Sequence, residues 1–297
     1  MKTTCKKIYK FVTVLLEMFV SVLSVTLFSS FGVGRSFKNI QKTLFFDYDV
    51  HILCNGPSLK DVICKQDFKG LNLLAVNYFA LTDAFIALKP NYYIILDPNL
   101  SRRSSNQLEQ RNKLIEAIAK VSWKMILFVP RDISKDWLEK MKHNECVKII
   151  KYNQTPVSGF RGISHYIYKK SLGMPLPQNV LNAAIFCAIN AGFKHIYLYG
   201  AEHSWMKNFD VDESTHRVYL NDGHFYKSEN IRYMPKGSYK KWLRWIYLMM
   251  NSHDMLREYA NYRGVTILNR TPNSFIDAYM FVFITIEQPK LIRNIRV

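Results

Sequence analysis

From residue 48 onward the chain alternates short apolar runs of strand length with longer stretches at helical spacing. Val50–Cys54, Leu71–Val76, Tyr92–Leu96, Met125–Val129 and His195–Tyr199 are the clearest strands, and Val147–Ile150 is a weaker fifth in the series. Between them, Gln107–Val121 has the spacing of an amphipathic helix, and Gln178–Ala191 is an apolar helix closed by Gly192. Trp242–Tyr262 reads as a helix, Val265–Leu268 as a last strand, and Thr271-Pro272-Asn273-Ser274 as a turn. Such alternation predicts an α/β fold with a parallel sheet and helices on both faces. Polar residues gather just past the predicted strand ends: Asn55, Asn77-Tyr78, Asp97-Pro98-Asn99 and Glu202-His203. Open α/β sheets bind ligands at that edge.

The first 44 residues follow a different pattern. Lys2, Lys6, Lys7 and Lys10 precede residues 11–33, which carry one charge, Glu17. As a helix this segment is about 34 Å long, enough to span a bilayer. Thr13, Glu17, Ser21 and Ser24 fall on one narrow stripe, which equally suits a helix lying in the interface or packed on the domain. A small-residue cleavage site is missing, so a signal peptide fits less well. The expectation is a membrane-anchor helix and linker over 1–44 and a catalytic domain over 45–297 at the cytoplasmic face of an inner membrane.

The stretch from Asn55 to Lys60 carries the most pointed chemistry. Asn55-Gly56-Pro57-Ser58 stops the first strand on turn-forming residues. Gly56 allows close approach of a ligand to the backbone, Pro57 suits a first helical turn, and Ser58 is a candidate cap. A strand, a glycine turn and a helix N-terminus together make an anion site; the plainer alternative is a structural strand-to-helix turn.

Charge narrows the partners. Lys and Arg number 41 against 23 Asp and Glu, a net charge of +18, which suits an anionic membrane or a phosphorylated substrate. Nucleic acid is not expected, because no binding motif for it is visible. The five cysteines show no metal-binding spacing and read as free thiols in a reducing compartment. A homo-oligomer stays open. Residues 204–241, rich in aromatics and bases, read as a lid over the sheet edge.

In this order, the pieces resemble the bacterial sialyltransferases of the Campylobacter type and related proteins that share the Asn-Gly-Pro-Ser-Leu turn. They are Asn55–Leu59, Asn77-Tyr78, Asp97-Pro98-Asn99-Leu100, Ala188–Gly200, His224-Phe225-Tyr226 and Thr271–Ser274. The resemblance implies a Rossmann-like fold and inverting transfer of sialic acid or a related acidic sugar, without a metal or other cofactor. The donor would be a CMP-linked nucleotide sugar, and the acceptor a glycan or lipid-linked glycan of the cell surface. Carried over, His224 is the general base. Asn55, Gly56, Pro57, Ser58, Asn77, Tyr78, Asp97, Asn99 and Asn179 line the donor site, with Glu202 and His203 beside them. Three departures stand out: Asp97 replaces the family's Asn, Asn179-Val180-Leu181 replaces a Thr-Ser-Gly, and the paired lid tyrosines lack certain counterparts. Tyr219, Tyr226 and Tyr233 are candidates for that role.

The chemistry is coherent with those residue types. A base must take a proton from the acceptor hydroxyl, and donors must relieve charge on the leaving phosphate. His203 is the rival base, with Glu202 placed to orient its ring. Two competing functions remain: a pterin diphosphokinase-like enzyme that uses ATP and Mg²⁺, and a non-catalytic glycan- or lipid-binding module.

Overall fold

A computed structural model describes residues 2–43, 48–102, 108–221 and 231–282. Two helices lead, α1 (Lys2–Phe28) and α2 (Val33–Thr43). The alternating part follows as β1 (Asp49–Leu53), α3 (Leu59–Lys65), β2 (Leu73–Val76), α4 (Asp83–Leu88), β3 (Tyr92–Ile94), α5 (Pro98–Ser101), α6 (Leu108–Ala119), β4 (Met125–Pro130), α7 (Lys135–Met141) and β5 (Val147–Tyr152). Next come α8 (Arg161–Lys169), α9 (Val180–Ala191) and β6 (His195–Tyr199). A small antiparallel unit, β7 (Phe209–Asp212), β8 (Arg217–Asn221) and β9 (Ile231–Tyr233), precedes α10 (Tyr239–Arg263), β10 (Thr266–Asn269) and β11 (Met280–Phe281).

The main sheet has eight strands in the order β11-β10-β6-β1-β2-β3-β4-β5, and every pairing in it is parallel. Parallel strands are covered on both faces, so their sequences run apolar without alternation; β2 and β3 are buried at every position. One core, built on Val50, Ile52, Leu74, Ile94 and Phe128, lies under α2 and α9. The other, built on Leu53, Ala75, Tyr93 and Leu127, lies under the face that carries Leu59, Phe85, Leu114 and Trp137 of α3, α4, α6 and α7. The Rossmann-like expectation therefore holds.

Local chemistry sets the element ends. α9 starts at Val180, two residues later than its pattern suggests, because Asn179 caps it. Asn179 Oδ1 accepts from the backbone N–H groups of Leu181 (2.8 Å) and Asn182 (3.3 Å). Gly192 closes the helix at φ 104°. Its alanines let α9 lie close to the sheet, and Leu181–Ala191 is buried throughout. β3 stops at Ile94, short of the expected Leu96, because the Leu96 N–H turns to the Asn77 side chain (3.1 Å). All five cysteines are free thiols.

α2 falls in the stretch assigned to anchor and linker, yet it is part of the α/β body. Val33, Phe37 and Ile40 are buried, and Phe37 stacks on Phe128 of β4 with ring centroids 5.7 Å apart. α1 also touches the body, through Met18, Ser21 and Val25, and so does Ser29 just past its end; all four are buried. Ser21 lies on the polar stripe read from the sequence, and Glu17, which shares that stripe, is exposed.

On the opposite face a single ion pair joins three elements. Arg111 of α6 has no exposed surface. It donates to the Leu100 carbonyl (3.1 Å), to Ser134 Oγ (2.5 Å) and to both oxygens of Asp136 (2.6 and 2.8 Å). The Arg111 guanidinium holds the Asp136 carboxyl well below the usual carboxylate range. A depressed native pKa contributes stability above the unfolded value of about 4, lost as pH falls through the native one. Asp136→Asn is therefore expected to cost about 3 kcal/mol at pH 7 in urea unfolding, the low end for stripping a buried charge of its partner. The difference from wild type should shrink steadily below pH about 4.

Candidate functional site

From β1 the sheet builds one way through β2 to β5 and the other way through β6, β10 and β11. The order reverses between β1 and β6, and in open α/β sheets such a reversal is where ligands bind, at the carboxyl ends of the strands. Two turns lie there. Cys54 N–H donates to the Tyr199 carbonyl and Gly56 N–H to the Gly200 carbonyl, each at 2.9 Å, so Asn55–Ser58 and Gly200–His203 lie side by side.

Glu202 joins these turns. Its Oε1 accepts from the Ser58 backbone N–H at 2.7 Å. A Cβ on Gly56 would sit 1.6 Å from Glu202 Oε2 and 2.4 Å from the Gly200 carbonyl oxygen. The expected anion at this turn is thus the protein's own carboxylate, and the close approach that Gly56 permits is made by Glu202. Ser58 makes no side-chain cap; its N–H serves Glu202, and Pro57 stands exposed in the turn before α3. A second turn braces the carboxylate from behind. Thr271 Oγ1 accepts from the Ala201 N–H (3.0 Å), Ser274 Oγ donates to the Ala201 carbonyl (2.6 Å), and the Phe275 N–H donates to the Glu202 carbonyl (2.8 Å).

The strand-end polar residues form a relay across the sheet edge. Asn55 Nδ2 donates to the Val76 carbonyl at the end of β2 (3.2 Å). Asn77, held at φ 44° where Asn is tolerated, accepts from the Leu96 N–H beyond β3. Asp97 caps α5 by accepting from the Asn99 N–H (2.9 Å). Burial raises the Asp97 carboxyl, against the Asn99 hydrogen bonds. Tyr78 packs partly buried against the core on the α3–α7 face. Asn55 and Asn77 each tie one strand end to the next, and Asp97 ties the end of β3 to α5.

His203 differs from its expected role. Asn179 Oδ1 is spent on capping α9, so its Nδ2 faces His203 Nε2 at 2.5 Å. That nitrogen must accept, and the ring's other nitrogen bonds the Ala201 backbone. Burial lowers the His203 pKa to about 3. The ring is a neutral, fully bonded strut, oriented by Asn179 rather than by Glu202. With its lone pair engaged, it is unavailable as a base in this state. Asn179 is correspondingly the cap of α9 and a positioning group for His203. His253, which sequence reasoning missed, packs 5.2 Å from the His203 ring and pairs with the Tyr279 hydroxyl (2.9 Å). Its position inside a long helix gave no motif to find it by.

The lid region is a three-stranded sheet clasped to the start of α10, with Phe209 against Tyr239 and Trp242 at 5.3 and 5.6 Å. Tyr219 and Tyr233 are cross-strand neighbours, 5.8 Å apart. The Tyr233 hydroxyl donates to Asp212 (2.8 Å), and Tyr219 to Asp210 (3.2 Å). Asp212, held low by its turn and by Tyr233, raises the Tyr233 pKa in return. His224 and Tyr226 lie outside the described residues.

Buried polar atoms without partners are few in native folds, and each calls for a water or a ligand. Nine such atoms occur among the described residues, and three of them, Asn55 Oδ1, Ser58 Oγ and Glu202 Oε2, belong to this one turn and its carboxylate. Among the described residues, no group of three or more His, Cys, Asp or Glu side chains is arranged to hold a metal ion. No protein-family model, no curated protein and no solved structure matches this chain.

Gly56→Ala is expected to lower stability by about 1–3 kcal/mol or more, the cost of overpacking a filled site. Thermal unfolding checks it. An unchanged melting temperature would mean that Glu202 does not occupy the turn.

Proposed function

We propose that this protein is a membrane-associated glycosyltransferase. In this reading it moves an acidic sugar from a CMP-linked donor to a surface-glycan acceptor, with inversion, and His224 is the base. The observation that carries the reading is the set of unspent polar atoms on Asn55, Ser58 and Glu202 at the reversal point of the sheet. Ligands of open α/β sheets bind at such a point. An amide oxygen, a hydroxyl and a carboxylate oxygen are acceptors suited to the hydroxyl and amino groups of a nucleoside. The resemblance in motif order supplies the donor class and the role of His224. The bonds that hold the His203 ring neutral support the choice of His224 over it as the base.

The decisive experiment incubates the membrane-bound protein with a panel of nucleotide sugars and follows release of free nucleotide, with and without a divalent-metal chelator. Release from a CMP-sugar supports the reading; strict metal dependence with ATP instead would favour the diphosphokinase alternative.

Ser58→Ala separates binding from folding. Its hydroxyl has no protein partner, so the melting temperature should hold or rise slightly. If the nucleotide uses that hydroxyl, affinity should fall about tenfold, the equivalent of one hydrogen bond worth about 1.4 kcal/mol. Calorimetric titration with CMP checks it, and unchanged affinity would remove Ser58 from the site.

His224→Ala is expected to cut transfer by about 10²–10⁴ with CMP affinity unchanged, the usual consequence of losing a general base. Single-turnover measurements check this. Near-normal turnover would overturn the base assignment.

A further inference from the structure

α1 is long and apolar enough to cross a membrane, but its docking points to another arrangement. The helix runs antiparallel to the extended segment 153–160. Phe11 meets Phe160 with centroids 5.9 Å apart. Met18 packs on Gly159, where a Cβ would come within 2.8 Å of the Met18 Cβ. Ser21 Oγ both donates to the Ser158 carbonyl and accepts its N–H, each at 3.0 Å. Past the helix end, Ser29 pairs with Thr155 (2.7 Å), and Ser30 exchanges two bonds with Asn153 (2.9 and 3.0 Å). About 28 Å of helix is thereby held along the side of the domain.

The opposite side of α1 is bare. Leu15, Leu16, Phe19, Leu23, Leu27 and Phe28 are each 48–69% exposed. A contiguous apolar strip of that kind marks an interaction surface. Its ends are basic: Lys6, Lys7 and Lys10 are exposed before it, and Arg35 and Lys38 after it. If α1 crossed the bilayer in this docked form, it would draw the charged neighbours of segment 153–160, such as Lys151 and Arg161, into hydrocarbon. Charged groups at that depth are costly.

We infer that α1 lies flat in the interface of an anionic bilayer, its inner face locked to the domain and its Leu15–Phe28 face in the acyl boundary, so that the protein is monotopic. The partner is the lipid surface: an apolar strip ended by lysines and arginines matches an acyl layer under anionic headgroups. This rests on the membrane reading above and specifies its geometry.

The test uses full-length protein and sealed vesicles of phosphatidylglycerol and phosphatidylcholine, with the protein added from outside. Cys5 lies in line with Leu23 on the lipid-facing side, about five helical turns away, so the reporter on α1 is Lys7→Cys in a Cys5→Ser background, in line with the docked Val25, and the exposed Cys64 reports on the domain. An impermeant maleimide is expected to label both thiols in the pelleted, vesicle-bound fraction. Bound protein with the thiol at position 7 protected and Cys64 labelled would overturn the flat arrangement while keeping membrane attachment. Failure to pellet with vesicles would overturn both. Phe19→Asp with Leu23→Asp, which leaves the docked face intact, should reduce vesicle partitioning at least tenfold with little change in melting temperature. Unchanged partitioning would place the lipid contact elsewhere and overturn the inference.

Discussion

A carboxylate buried at the reversal point of the sheet is the constraint on which the site depends. Glu202 is 7% exposed, and burying an ionised group without partners is costly. The fold meets that cost with the Ser58 N–H and with backbone and side-chain bonds that fix the loop carrying it. Gly56 is needed because the carboxylate fills the space beside it, and the Thr271–Ser274 turn is needed because it holds Ala201 and Glu202 in register. Nearby, burial and the Glu202 charge push the Cys54 thiol far up, so it stays protonated. Three separate stretches of chain, Cys54–Ser58, Gly200–His203 and Thr271–Phe275, thus meet around one side chain.

The same economy governs the neighbouring polar groups. Asn55, Asn77 and Asp97 each spend one atom on the next strand or helix, and the Asn179–His203 pair links the α9 cap to the loop after β6. A polar residue at a strand end therefore has a structural role before it has any ligand role. The unspent atoms discriminate between residues: Asn55, Ser58 and Glu202 keep one each, whereas the bonds of His203 consume its ring. Three of the nine unspent atoms thus gather beside the ends of β1 and β6.

At the amino end, α1 and α2 divide their labour. α2 completes the cover over the sheet through Val33, Phe37 and Ile40, while α1 offers the domain a strip of Met, Ser and Val and leaves its aromatic and leucine side bare. Ser21 marks the docked face because its hydroxyl reaches the backbone of Ser158. The apolar helix and the α/β body are thus held in one fixed relation.

The alternation of apolar runs by itself determined the α/β class, the strands through β6 and the gathering of polar residues at one edge. Those features follow from periodicity and turn chemistry, which are local. The bounds of β6 and the closure of α9 at Gly192 were legible to the residue for that reason. Tertiary structure alone decided what each edge residue does. Gly56 serves a carboxylate 146 positions further along the chain. His203 lost its lone pair to the cap of a helix that precedes it by more than twenty residues. The polar stripe of α1 faces protein at Ser21, because an extended segment some 130 residues away offers its backbone there. Hydrogen-bond partners at such separations leave no periodic trace, so only folding reveals which polar atoms are spent and which remain for a ligand.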